Sequence, residues 1–294
     1  MPVPSDTQLV IEIDRNVFRY ASVWKREHEI VMDRFGTCEF GADVWQGLIS
    51  DNPEMTEDFQ AALQETFDGP EAHPEGRILR VVLPSTAGPT WLSPVRKGLS
   101  RKEMADALMN EARLLDPEPT SLHVNRAGTF AFQTDGLQQE WLYVMAIRTA
   151  AQHTLQRHIA EATGMKMLPL SRWVSLGRIT HRMIGTKEGP HLVMGLFIQH
   201  SEAVLLRDGI ALDYAEMAPP APGYAALHVL RKTGLYAADL RGTYYYGSEE
   251  PPLDLAGLMA IPPQKMPLLG ISPILSAERE AALREAVACI GACL

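Results

Sequence analysis

Two carboxylates, Glu12 and Asp14, stand two residues apart in the stretch Leu9–Tyr20, LVIEIDRNVFRY. Apolar and polar residues alternate there as in a half-buried strand, and alternate strand residues share a face. The spacing therefore puts Glu12 and Asp14 side by side, where two carboxylates can converge on a hard cation such as Mg²⁺. The turn that follows, Asp14-Arg15-Asn16, occupies the place where a phosphate-binding turn would carry glycine and serine, whose backbone amides can approach an anion. The stretch is thus a metal and phosphate hairpin or the structural remainder of one.

Other reactive side chains form no comparable constellation. The sequence contains no GxxxxGK[ST], GxGxxG or GxSxG pattern. His153 and His158 are five apart on a predicted helix, hence on different faces, and are expected at the surface rather than on a shared metal. His181 and His191 flank a Gly-Pro loop without partnering cysteines, and Glu249-Glu250 run into Pro251-Pro252 as a rigid acidic loop. Cys38, Cys289 and Cys293 are too few for a disulfide framework and have no CxxC spacing. Cys289 and Cys293, four apart in an apolar helix, read as packed thiols, and Trp91, Trp141 and Trp173 read as core or interface anchors.

Composition narrows the classes of function. With 294 residues, 46% of them hydrophobic and 21% charged, the chain is long enough to split into two lobes. A net charge of −9 argues against nucleic acid, which calls for clustered Lys and Arg. The small basic group Arg96, Lys97, Arg101 and Lys102 is diluted by Glu103 and reads as a solvated loop and helix start. No apolar window reaches membrane-spanning length, and the first residues have no export signature. The chain is expected in the cytoplasm.

Periodicity and turn chemistry then supply the elements. A three-strand meander (9–13, 17–24, 29–35) precedes helices near 42–49 and 56–66 and the strand RILRVVLP. Ser100-Arg101-Lys102-Glu103 is a capping box that opens a helix to Leu115. Strands are expected at 121–125, 130–134 and, centrally, 140–147, then a helix from 150 to 163 ended by Gly164. After MKMLPL and a helix from Ser171, Arg207-Asp208-Gly209 turns an apolar hairpin. A helix at 225–233, a strand at 242–246 and a final helix at 277–294 complete the reading.

From Val81 onward this order resembles the PilM family of type IV pilus assembly and, more distantly, the cytoplasmic domain of GspL from type II secretion. VVLPSTAGPTWLSPV followed by LSRKEMADALMNEARLLDPEPTSLHV resembles that family's strand and helix with Glu111-Ala112 near its end. EWLYVMAIRTAAQHTLQRHIAEATGMKMLPL, AVLLRDGIALDYAEM and REAVACIGACL are similar to its apolar strand and long helix, second-lobe hairpin and small-residue terminal helix. The resemblance implies an α/β fold, actin-like (ribonuclease H-like) and two-lobed, with an inserted α+β subdomain and a shortened second lobe. Its parts would be residues 1–98 with 165–190, the insertion 99–164, and the second lobe 191–294.

The resemblance also implies where ATP and Mg²⁺ would sit, and there the chain departs from the pattern. Glu12 takes the place of the Asp in the family's first Asp-x-Gly, and Asp14 takes the place of its Gly. The second Asp-x-Gly falls on Gly195-Leu196-Phe197, without a carboxylate and with a bulky Phe. The adenosine loop is reduced to Gly247-Ser248 and Gly257, interrupted by EEPPLDLA, and there is room for one helix between Glu216 and Tyr244. Glu12, Asp14, Gly195, Gly247 and Gly257 are thus positions of a degenerate nucleotide site, and no cofactor is expected. What the resemblance implies instead is a scaffold holding the tail of a PilN-like membrane protein near 85–111 and the strand after it, with an assembly ATPase as a further candidate partner and membrane contact only through the partner. The alternative is an actin-like ATPase or small-molecule kinase using Glu12 and Asp14 as Mg²⁺ ligands.

Overall fold

A computed structural model of the chain describes residues 7–27, 29–67, 77–130, 139–184, 188–268, 271–272 and 277–294. The chain begins with a meander, β1 (Gln8–Asp14), β2 (Val17–Arg26) and β3 (Glu29–Glu39), followed by α1 (Val44–Ile49), α2 (Pro53–Phe67) and β4 (Ile78–Leu83). Then come β5 (Thr90–Pro94), α3 (Arg101–Leu115), β6 (Thr120–Phe130), β7 (Gln139–Arg148), α4 (Thr149–Thr163), β8 (Lys166–Ser171) and α5 (Arg172–Ile184). A second meander, β9 (Pro190–Leu196), β10 (Ser201–Arg207) and β11 (Ile210–Met217), leads to α6 (Pro222–Thr233), β12 (Gly242–Gly247) and α7 (Leu253–Leu258). The short strands β13 (Gln264–Lys265) and β14 (Ile271–Ser272) and the helices α8 (Ala277–Glu285) and α9 (Val287–Ala292) follow.

Two sheets share one design. Their orders are β14-β3-β2-β1-β4-β8 and β11-β10-β9-β12-β13. In each, an antiparallel meander is extended by strands that join in parallel next to its first strand. This repetition is the α/β two-lobed architecture expected from the sequence. A third sheet, β5-β7-β6, has β7 at its centre, where the apolar run 140–147 was expected. Among the described residues no helix is long and apolar enough to cross a membrane.

Strand alternation decides what each face meets. Leu9, Ile11 and Ile13 point into an outer core with Trp45, Phe59, Leu63, Leu155 and Ile159 from α1, α2 and α4. Val10 joins an inner core with Val82, Trp173, Leu176 and Ile179 of the first lobe, Val193 and Val204 of the second, and all of buried α9. Glu12 and Asp14 share Val10's parity and so face the seam between the lobes. A separate cluster seats α6 on the outer face of the second sheet, through Ala225, Ala226, Val229 and Leu230.

Several expected boundaries move. Strand β5, which precedes residue 99, pairs with β7 in the third sheet. Helix α4 lies inside the expected insertion but packs on α2 and α1, since its apolar stripe completes the outer core. The terminal helix breaks at Ala286, and α9 leaves the second lobe to lie against α5, β1, β2 and β4. The strands expected at 121–125 and 130–134 are one element, β6, bulged between Arg126 and Gly128, and 131–134 falls outside the described residues. His158, expected at the surface, is 3% exposed, its Nε2 3.1 Å from Asp51 Oδ1.

Candidate functional site

The two sheets face each other at the seam with rows of aligned residues that carry its polar groups. In the first lobe the row runs from Arg19 of β2 to Glu12 of β1 and on to Val82 and Leu170. In the second it runs Tyr246, Gly195, Glu202, Glu216 across β12, β9, β10 and β11. Gly195 has a definite part in this row. A Cβ there would lie 2.5 Å from Glu202 Oε1 and 2.9 Å from the Phe197 ring, so its missing side chain makes room for the carboxylate.

Arg172 joins the two rows. It is the first residue of α5, is 3% exposed, and is delivered to the seam where edge strand β8 ends. Its Nε and Nη2 donate to the two oxygens of Glu202 at 2.7 and 2.8 Å. Its Nη1 pairs with Glu12 and lies 3.1 Å from Asp14 Oδ2. Arg19 donates to Asp14 at 2.7 Å. A cation at a helix N-terminus opposes the helix dipole, so α5 depends on these carboxylates to keep Arg172 there. Tyr214 donates to Glu202 at 2.8 Å, and Tyr246 donates to its other oxygen.

Phe197 is buried within this cluster. Its ring stacks on His200 with centroids 4.6 Å apart, and the guanidinium carbons of Arg19 and Arg172 lie 5.1 and 5.5 Å from its centroid. At the first hairpin's tip Arg15 adopts φ +56°, in the left-handed region a glycine would favour. From there its guanidinium reaches Glu216 of β11 at 2.6 Å, and Ser85 donates to the same carboxylate at 2.7 Å. The remaining cavity between the hairpin tips measures about 140 Å³ and is bordered by Asp14, Arg15, Arg19, His200 and Ser248.

Burial and pairing pull the charges in different directions. Burial outweighs Arg172 and Arg19 at Glu12 and raises its pKa, and its Oε2 meets a weak donor, the Cys289 thiol, at 3.8 Å. Burial also acts on Asp14, but Arg172, His200 and Arg19 overcome it and hold the carboxyl well below the usual range. Glu202 is lowered in the same way, burial being outweighed by Arg172 and assisted against by Tyr246. Burial lowers His200, with Asp14 opposing.

The signs of these shifts give a test. Asp14 and Glu202 have depressed folded values, so their contribution is present above their unfolded values of about 4 and is lost as pH falls below them. Glu12 has the opposite sign: its contribution is fully present below its unfolded value of about 4.3 and is lost as pH rises toward its folded one. Urea unfolding at pH 7 is therefore expected to show Glu202→Gln less stable than the parent by about 2 kcal/mol or more, with Glu12→Gln equal to or more stable than it. Both differences should shrink at pH 3.

The structure brings together Glu12, Asp14 and Gly195 of the expected positions. Gly247 lies at the rim with φ +106°, its chain so close to β9 that a Cβ would sit 2.2 Å from Leu196 O. Gly257 lies on exposed α7 with open space around it. Sequence reasoning did not single out Arg172, Glu202 or His200. The available signal was a charge inside otherwise apolar elements, Arg before WVSLG and Glu within SEAVLL.

The sequence matches no protein-family model and no curated protein. Its structure superposes on a chain of a PilM–PilN type IV pilus biogenesis complex with a TM-score of 0.67 at 15% identity, covering 99% of this chain and 98% of that one. The fold is actin-like, in the form seen in PilM. A Bacteroides thetaiotaomicron VPI-5482 protein with an actin-like ATPase fold superposes with a TM-score of 0.55 at 9% identity, covering 97% of this chain and 96% of that one. The cytoplasmic domain of EpsL, an inner membrane component of the type II secretion system of Vibrio cholerae, does so with 0.51 at 10% identity, covering 96% and 94%. Within the actin-like frame, the Arg172 cluster occupies the cleft between the lobes, between the tips of the first and second hairpins.

Proposed function

We propose that the chain is a non-catalytic scaffold of a type IV pilus or type II secretion-like assembly, cytoplasmic and held at the inner membrane through a PilN-like partner. The observation that carries this reading is the Arg172–Glu202 pair with Glu12 and Asp14 in the cleft. Glu12 and Asp14 do converge on one cation, as the ATPase alternative requires, but the cation is a guanidinium of the chain itself. The cavity of about 140 Å³ that remains is below the ~300 Å³ at which small-molecule sites begin. The likeness to a chain of a PilM–PilN complex supports a membrane-protein tail as the ligand.

The inserted subdomain has the features such a tail would use. Strand β5 is an edge of its sheet, suited to an extended peptide that adds as a further strand. Trp91 of β5 donates to Glu111 of α3 at 2.9 Å, and Arg96 pairs with the same carboxylate at 2.7 Å, fixing the helix beside the strand. Leu99, Leu114 and Leu115 are exposed at the ends of α3.

Calorimetric titration with ATP, with and without Mg²⁺, is expected to show no binding tighter than about 100 μM, which is about −5.5 kcal/mol. Synthetic tails of PilN-like proteins are expected to bind, and Trp91→Ala to weaken them about tenfold. ATP binding abolished by Glu12→Ala would overturn the reading in favour of the ATPase.

A further inference from the structure

Arg15, Arg19 and Arg172 pair with Glu216, Asp14 and Glu202 at the seam, and His200 stands beside them. His200 is 2% exposed, and its Nε2 is buried without a hydrogen-bond partner, 3.7 Å from Asp14 Oδ2. Ligand atoms of Asp14, His200 and Glu216 all lie within 4.8 Å of one another. Both arginine contacts to Asp14 are made on Oδ2, which leaves Oδ1 for another partner. Phe197 stacked on the imidazole holds the ring's plane. The adjoining cavity of about 140 Å³ can hold an ion with its water, and Glu39 and Glu285 line it as well.

We propose that Asp14, His200 and Glu216 bind a divalent d-block cation, Zn²⁺ by the chemistry of the donor set, directly and without a nucleotide. One imidazole nitrogen and two carboxylate oxygens form a mixed set that suits Zn²⁺, whereas Mg²⁺ takes oxygen alone. Asp14 comes from the first lobe and the other two ligands from the second, so the ion clamps the cleft shut. Zinc is four-coordinate, so three protein ligands leave one position, which water from the cavity fills.

The test is titration of the chelator-treated full chain with ZnCl₂ at pH 7.5. One equivalent is expected to bind with a Kd of about 10 μM or tighter and to raise the melting temperature. Either His200→Ala or Glu216→Gln should weaken binding at least tenfold, with exposed His153→Ala unchanged. His200→Gln serves if the alanine variant does not fold. Zinc X-ray absorption on the unmodified chain should show one imidazole in a shell otherwise of oxygen. Absence of saturable binding, binding that survives both His200 variants, or an all-oxygen shell would overturn the proposal.

Discussion

Arg172→Ala is expected to lower the unfolding free energy by about 3–5 kcal/mol, the cost of removing one partner from a buried ion pair. The size follows from what is left behind. Glu202 and Glu12 are each 0% exposed and Asp14 is 4% exposed, and Arg172 is the cation common to all three. Arg19 remains with Asp14, but it lies 3.8 Å from Glu12. Adding Glu202→Gln to Arg172→Ala should therefore recover part of the loss, a coupling that distant, independent sites do not show. Urea denaturation of the four chains in the cycle measures it. A loss below about 1 kcal/mol for Arg172→Ala, the range of exposed pairs, would mean that the cleft is not held by this cluster.

The second large effect is at Gly291. A Cβ on this residue would lie 1.9 Å from Ser175 O and 2.6 Å from its carbonyl carbon, backbone atoms of α5 that have no room to yield. Every residue of α9 is buried, and Arg80 donates to Ala292 O at 2.6 Å, placing a cation at the helix C-terminus. Gly291→Ala is expected to cost about 3 kcal/mol, at the upper end for overpacking. The strain is relieved only if α9 undocks, and that would expose Cys289 and Cys293, which are 0% and 3% exposed in the native chain. Faster labelling of these thiols, together with a lower urea midpoint, is the expected signature. The same substitution at Gly257, where nothing lies within 4 Å, should stabilise α7 by up to ~1 kcal/mol through helix propensity. Opposite signs from one chemical change would establish that close approach, and not glycine itself, decides the outcome at 291.

Local structure was legible wherever a residue's own chemistry sets the backbone. Ser100 and Glu103 form the expected reciprocal cap, with Ser100 N donating to Glu103 at 2.7 Å and Glu103 N to Ser100 at 3.3 Å. Gly164 ends α4 in the left-handed region, and Asp208-Gly209 turns the second hairpin with φ of 52° and 80°. The strand alternation of LVIEID put Glu12 and Asp14 on one face, and the order of elements carried the two-lobed α/β class. Apart from the order of elements, these are short-range properties, governed by neighbours a few residues away.

Only the tertiary structure decided what those carboxylates meet. Arg172 and Glu202 are separated by 30 residues, Glu12 and Cys289 by 277, and no periodicity links them. The polar row of the second sheet exists because the register of four strands, the meander β9–β11 and the crossover strand β12, aligns Tyr246, Gly195, Glu202 and Glu216. The same holds for His158, drawn into the outer core by the packing of α4, and for α9, whose small residues fit the groove beside α5 rather than the lobe that precedes it in sequence. A single charge in an apolar run reads alike whether its partner is water or a buried counter-ion, because burial and pairing are properties of the assembled sheets and not of the residue.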